Sequence, residues 1–256
     1  MIKFHRNIIR NIRKNILKKT FEAQSSHIGS CFSIVEILYV LYFLILKKKD
    51  TFILSKGHAA LALYSVLFQK KIINKKTFES FGVDNTILMS HVSHKVRGVE
   101  FSTGSLGHGL PYAVGKALGE KINNTNNNVY VLISDGELNE GTTWESLIFA
   151  THHNLNNLFI IIDYNKIQSL DFVKNVLKIE SLKNKFKSFN CNFQSIDGHD
   201  IRKIFYSFKI KKNNKPNILV ANTTKGKGID FMENKVLWHY KSPNKEQYEL
   251  AKKKLK

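Results

Sequence analysis

Cysteine is nearly absent. Cys31 and Cys191 are the only two in 256 residues, and thiols so far apart supply neither a disulfide framework nor a cysteine metal cluster. A reducing cytoplasm is the expected compartment. Proline occurs three times, and no Pro- or Gly-rich linker divides the chain, so one domain over residues 1–256 is expected. No internal repeat is visible. No apolar run suits a membrane span: Cys31 to Leu46 is strongly apolar, but it is too short and contains Glu36. Acids are scarce, with 20 Asp and Glu against 40 Lys and Arg and a formal charge of +20. Such an excess raises nucleic-acid binding as a possibility. Here lysine and asparagine are spread through the whole chain, in runs such as Lys47-Lys48-Lys49 and Asn126-Asn127-Asn128. No clustered aromatic-and-basic motif accompanies them. The ordinary reading is compositional drift with lysines on solvated faces, and neither a nucleic-acid nor a membrane partner is expected.

What is present is a 43% hydrophobic content and an alternation of periods. Ile8, Ile9, Ile12, Ile16 and Leu17 recur near helical spacing, predicting a helix over Asn7 to Gln24. A basic amphipathic start also fits a transit peptide, but cleavage would remove the helix leading into the first motif at Ser26. A second, buried helix is expected over Cys31 to Leu46. A short apolar run, Thr51 to Leu54, precedes a helical pattern from Ala59 to Gln69. The Gly104 to Gly109 stretch leads into a helix ending near Gly119. Val129 to Ile133 and Leu158 to Ile162 are continuous apolar strands, with a helix over Gly141 to His153 between them. Phe193 to Ile196 and Ile218 to Val220 are two more strand candidates, again with a helix between. Continuous rather than alternating apolar strands fit a mostly parallel sheet covered by helices on both faces, an α/β fold. In such sheets ligands bind beyond the carboxyl ends of the strands.

Two segments at those ends carry chemistry. Ser134-Asp135-Gly136-Glu137-Leu138-Asn139-Glu140-Gly141 follows the first long strand. Asp163-Tyr164-Asn165-Lys166-Ile167 follows the second. If the strands are neighbours, the Asp135 carboxylate, the Asn165 amide oxygen and a backbone carbonyl can reach one point. Such an oxygen shell suits Mg²⁺ completed by phosphates and water. Gly136 would let the backbone approach a phosphate. Taken singly, an Asp-Gly is usually a turn and an Asn after a strand is usually a cap. The flanking residues decide between the readings.

Asp-Gly-Glu-x-x-Glu-Gly-x-x-Trp-Glu followed by Asp-x-Asn-x-Ile resembles the thiamine-diphosphate motif of transketolases. The resemblance runs from about Ser26 to His239. It includes Ser26-His27-Ile28-Gly29-Ser30, Leu54-Ser55-Lys56-Gly57-His58-Ala59-Ala60 and Ser102-Thr103-Gly104-Ser105-Leu106-Gly107-His108-Gly109-Leu110. Asp197-Gly198-His199-Asp200, Thr224-Lys225-Gly226-Lys227-Gly228 and His239 follow in the expected order. The resemblance implies a thiamine-diphosphate-binding fold and thiamine diphosphate with Mg²⁺ as cofactors. By position, Asp135, Asn165 and the carbonyl of Ile167 would hold the metal. Gly136, His58 and His239 would contact the cofactor diphosphate. Gly104, Ser105 and Leu106 would border the cofactor. His27, His91 and His239 would handle protons along the substrate channel, where histidine suits work near neutral pH. Glu140 would lie at a subunit contact. His94 is a rival to His91, because the spacing to Gly98 differs from the usual pattern. His5, His152, His153 and His199 are assigned by default to structural or surface places. Ser134, His108 and Arg97 depart from the family's usual Gly, Gln and Pro, which points to a divergent branch and leaves the sugar open.

The resemblance also implies a reaction, transfer of a two-carbon ketol unit from a ketose to an aldose, commonly as sugar phosphates. The family's pyrimidine-activating glutamate belongs to a second domain, and no segment after Lys256 supplies it. The expectation is therefore the N-terminal subunit of a split transketolase, working with a C-terminal subunit in a dimer of heterodimers. The alternatives are a subunit of a deoxyxylulose-phosphate-synthase-like or 2-oxo-acid-dehydrogenase-like enzyme, or a non-catalytic basic binding protein that retains the fold.

Overall fold

Runs of Val, Ile and Leu, which suit pleated buried surface, form the centre of one sheet, and the more polar segment Asn192–Asp197 closes one edge. The computed structural model describes residues 2–209 and 213–255. Its strands are β1 (Thr51–Leu54), β2 (Val129–Ser134), β3 (Leu158–Tyr164), β4 (Asn192–Asp197) and β5 (Asn217–Asn222). They lie in the order β1-β2-β3-β5-β4, with every pair parallel. Around them run α1 (Ile2–Ala23), α2 (Ile28–Ser33), α3 (Val35–Val40), α4 (Ala60–Gln69), α5 (Lys75–Glu79), α6 (Gly109–Ile122), α7 (Gly141–His152), α8 (Val173–Val176), α9 (Leu182–Ser188), α10 (Ile201–Ser207) and α11 (Lys245–Lys254).

The expected parallel sheet with both faces covered is the one formed. Along β2, Tyr130 and Leu132 enter one core together with α1 to α4. Val129, Val131 and Ile133 enter a second core with α6 and α7. That is the period of two of a strand buried on both sides. β1, β2 and β3 step across the sheet in order, the chain then passes to the edge at β4, and β5 returns between them. A constant right-handed crossover requires that reversal to move the helix to the opposite face. Ile204 of α10 indeed joins the α1-side core, whereas Leu147 of α7 and Phe186 of α9 join the other. The crevice between β3 and β5 is thus a switch point, where ligands bind in such sheets.

Several boundaries differ from the sequence reading. Cys31 to Leu46 is not one helix. It breaks at Ile34 (φ −107°, ψ 7°) into α2 and α3, and a wider helical turn follows over Leu41–Ile45. A tertiary bond accompanies the break: the Ser33 hydroxyl donates to Asp163 Oδ2 at 2.7 Å, beside a local bond to the Ser30 carbonyl at 3.0 Å. α1 starts before Asn7, and α6 runs past Gly119 to Ile122. The short α5 is capped by Asn74, whose side chain accepts from Thr77 N; five residues give too little periodicity to read. Among the described residues no helix is long and apolar enough to cross a membrane.

The stripe on α1 is buried as its spacing predicts: Ile9, Ile12, Ile16 and Leu17 all join the core. The same helix buries a charge. Arg13 forms a two-pronged pair with Glu36 at 2.7 and 2.9 Å. Burial alone would push the Glu36 carboxyl up, but the Arg13 guanidinium and the hydrogen bond with His199 outweigh it and hold the group at about 2. A carboxyl more acidic in the folded chain than its ordinary 4.5 stabilises the fold fully above that value. The contribution, about 3 kcal/mol from the size of the shift, is lost as pH falls toward 2. The stability difference between the natural chain and Glu36→Gln, read from urea midpoints, is therefore expected to shrink steadily below pH 4.5. A pH-independent difference would remove the ion pair from the account.

Candidate functional site

β2 and β3 are direct neighbours, with Ser134 opposite Asp163, so the segments that follow them emerge side by side. Asp135, 1% exposed, accepts from Gly136 N at 2.9 Å and from Lys166 N at 2.6 Å. Among the described residues no ammonium or guanidinium group bonds it. Burial and the neighbouring Asp163 push its carboxyl well up from its ordinary range. Asn165 donates through Nδ2 to Asp163 at 2.9 Å, and its Oδ1 accepts from Ile167 N at 3.1 Å. Asp135, Asn165 and Ile167 line one cleft. A buried carboxylate without a counter-ion, beside an amide oxygen and a carbonyl, fits a hard cation that takes oxygen ligands. No cluster of three or more His, Cys, Asp or Glu suited to another metal occurs among the described residues. A Cβ built on Gly136 would meet nothing closer than 3.7 Å. Packing within the chain does not demand that glycine, and the space beside it is open to a ligand.

Three charged residues of this region carry no signal in composition or periodicity. Asp163 is wholly buried and accepts from four donors: the Lys56 ammonium, the Thr223 hydroxyl, Ser33 Oγ and Asn165 Nδ2. Burial would raise its carboxyl, but Lys56 and the hydroxyl donors hold it below the usual range. Lys56 is equally buried. Lys225, 1% exposed, follows β5 and lines the cleft. Its Nζ donates to the Ile167 carbonyl at 3.2 Å and lies 2.7 Å from His239 Nδ1. Burial and the nearby Lys56 push this ammonium down. The usable signal is position: each lies in one of the motifs named above, at or just past the end of an apolar strand, where a charge has to be paired or used.

Four imidazoles converge on the other wall. His27 caps α2 with a left-handed backbone (φ 72°), and its amide donates to the His239 carbonyl at 2.8 Å. A non-glycine residue held there is uncommon and is a mark of functional sites. The His27 ring centroid lies 5.3 Å from that of His58, 5.8 Å from His91 and 5.1 Å from His239. All four line the cleft. Burial, reinforced by His91, Lys225 and Lys56, holds His27 down at about 4. Burial with Lys225, His27 and Lys56 holds His239 down at about 3. His58 is driven well below its ordinary value and His91 is lowered, both first by burial. At neutral pH the cleft therefore presents neutral imidazoles, each with one donor and one acceptor nitrogen.

Gly104 and Leu106 line the cleft, while Ser105 and Glu140 are exposed and outside its lining. The Gly104–Gly109 loop is held by Glu137, which is buried and takes hydrogen bonds from Ser55 Oγ, Ser134 N and Gly107 N. Gly57 is required by close approach, since a Cβ there would stand 2.4 Å from the Thr103 carbonyl oxygen. His94 is exposed and bonded to Ser102, outside the cleft that His91 lines. His199 takes the structural place of the two assigned to it by default. Its Nδ1 lies 3.0 Å from Glu36, and its Nε2 accepts from Thr224 N at 2.8 Å, so it joins the Arg13–Glu36 pair to the turn that carries Thr223 and Lys225.

A family described as transketolase, thiamine diphosphate binding domain, matches residues 4–256. One of the subunits of the apulose-4-phosphate transketolase of Actinobacillus succinogenes is 38% identical over 255 residues, 95% of this chain and 92% of that one. The 6-deoxy-6-sulfo-D-fructose transketolase subunit SqwG of Clostridium sp. is 34% identical over 252 residues, 94% of this chain and 92% of that one. The crystal structure of transketolase from Campylobacter jejuni superposes with a TM-score of 0.87 at 28% identity and covers 98% of this chain. This chain spans 42% of that protein's length.

Proposed function

Because the chain belongs to the transketolase family, matching its thiamine-diphosphate-binding domain from residue 4 to 256, we propose that it is the N-terminal subunit of a split transketolase. It transfers a two-carbon ketol unit between a ketose and an aldose, as sugar phosphates, once a C-terminal subunit completes the site. The observation that carries this reading is the buried, unpaired Asp135 carboxylate beside Asn165 and the Ile167 carbonyl. These three oxygens would hold Mg²⁺ on the diphosphate of the cofactor. Lys225, His58, His239 and the backbone at Gly136 face the same space and would bind the remaining phosphate oxygens.

When bound, thiamine diphosphate would supply nucleophilic chemistry toward carbonyl carbon. The chain's own residues bind, orient and move protons. His27, His91 and His239 stand as neutral imidazoles able to accept a proton from a sugar hydroxyl or return one. Asp135 is the one acid among the described residues that line the cleft, and it is committed to the metal. Membership of the family implies that the carboxylate that would activate the pyrimidine ring comes from the partner chain. The near-full-length match to a relative that is itself named as one subunit of a transketolase supports the split arrangement. The differing sugars in the relatives' names support a specialised substrate rather than a fixed one for the branch.

Calorimetry and a ketol-transfer assay test this together. The isolated chain is expected to bind thiamine diphosphate when Mg²⁺ is present and to show no ketol transfer. Adding the complementary subunit is expected to restore transfer. Full activity of the chain alone would overturn the split arrangement, and binding indifferent to Mg²⁺ would overturn the metal assignment.

A further inference from the structure

A cavity of about 1190 Å³ lies between α1, α10 and the loop after β5, and it shares no lining residue with the cofactor cleft. Its chemistry stands out against the composition. Forty residues are Lys or Arg, and only five of them are arginine: Arg6, Arg10, Arg13, Arg97 and Arg202. Four of those five line this cavity. Lysine supplies charge equally well. What arginine adds is a rigid planar fork that grips a phosphate or carboxylate through two parallel bonds. In a chain that otherwise uses lysine, arginines gathered at one cavity mark a place where that geometry is needed.

Their pairing separates them. Arg13 is committed to Glu36. At the rim, Lys227 is paired with Glu233 at 3.3 Å and Lys254 with Asp230 at 2.7 Å. Arg6, Arg10 and Arg202 are exposed, and among the described residues none has an ion pair or a side-chain hydrogen bond. The two acids of the lining do not neutralise them: Glu36 holds Arg13, and Asp200 accepts the amides of Arg202 and Lys203 as a helix cap. Arg6 and Arg10 are four residues apart on α1, a spacing that puts both side chains on one face. A lone inorganic phosphate would leave most of the cavity empty, since its volume exceeds the usual range of small-molecule sites. Ile9, Leu44 and Phe205 supply apolar wall, and Tyr206 at its edge is 64% exposed.

We propose that this cavity binds an organic phosphate, a small molecule whose phosphate groups are forked by Arg6, Arg10 and Arg202 and whose planar or apolar body lies against the Phe205–Tyr206 wall. ADP serves as the probe. It is titrated calorimetrically into the full chain already saturated with thiamine diphosphate and Mg²⁺, so that its diphosphate finds the cofactor cleft filled. One ADP per chain is expected, with affinity falling about tenfold or more in Arg10→Gln and in Arg202→Gln, the loss of one charge-assisted bond pair in each. Thermal unfolding and cofactor affinity of both variants are expected to match the natural chain. Arg97→Gln, outside the cavity, is expected to bind ADP normally. Three results would each overturn the proposal. One is the absence of saturable ADP binding, and another is equal weakening in Arg97→Gln, which would mean diffuse attraction to a basic surface. The third is an octaglutamate peptide that binds the cavity more tightly than ADP, which would make it a docking groove for an acidic protein segment.

Discussion

Asp163→Ala is expected to destabilise the chain by about 3–5 kcal/mol, the usual consequence of removing one partner from a buried ion pair. Domains are stable by only about 5–15 kcal/mol, so the variant should sit near the edge of folding. The reason lies in what remains. Lys56 would keep its ammonium in a place with no exposure and no counter-ion. Ser33, Asn165 and Thr223 would each lose the acceptor they now share. Those donors come from α2, the β3 end and the β5 end, so one carboxylate ties three elements across the switch point. The double variant Lys56→Met/Asp163→Leu removes both charges and is expected to recover the part of the loss that comes from the orphaned ammonium, but not the part from the three donors. Urea unfolding with an unchanged slope checks both. A loss below about 1 kcal/mol for Asp163→Ala would mean that the pair behaves as a solvated surface bridge.

That hub also shows where the sequence stops being legible. β2 and β3 can be read because their apolar runs are continuous and bounded by chemistry. Their adjacency is what turns Asp135 and Asn165 from two ordinary turn residues into one oxygen set. The break at Ile34 cannot be read, because the bond that accompanies it runs from Ser33 to a residue 130 positions away. Lys56 and Lys225 are hidden for a different reason. Among forty basic residues a lysine reads as a solvated one, and only the fold shows these two buried against the cleft. His199 reads as structural or surface, and Glu36 and Thr224 on either side of it make it structural. His91 and His94 stand three residues apart with equal claims from chemistry. The loop backbone settles which ring lines the cleft, and the motif spacing does not. The arginines of the second cavity carry no motif, and Arg202 joins the α1 group only because α10 packs on that face.

Asp135→Asn is expected to act in the opposite sense from Asp163→Ala. Asp163 is held below the usual carboxyl range, so its charge supports the fold. Asp135 is pushed up by burial and by Asp163, so near neutral pH its charge opposes the fold until something cationic shares the site. Asparagine keeps an acceptor for the Lys166 or Gly136 amide and removes that charge. The cofactor-free variant should therefore unfold at the same temperature as the natural chain or higher, the pattern of a residue kept for function at the expense of stability. Its ligand response should be lost. Thiamine diphosphate with Mg²⁺ binds the folded state and raises the melting temperature of the natural chain by mass action. Without the carboxylate, Mg²⁺-dependent affinity is expected to drop by about 100-fold or more, beyond what the loss of a mere supporting group causes. A thermal melt of both proteins, each with and without cofactor and metal, reads both effects in one experiment. If the Mg²⁺-dependent shift survives in Asp135→Asn, Asp135 does not hold the metal. If the cofactor-free variant melts well below the natural chain, the carboxylate supports the fold and its buried charge is not a cost awaiting a cation.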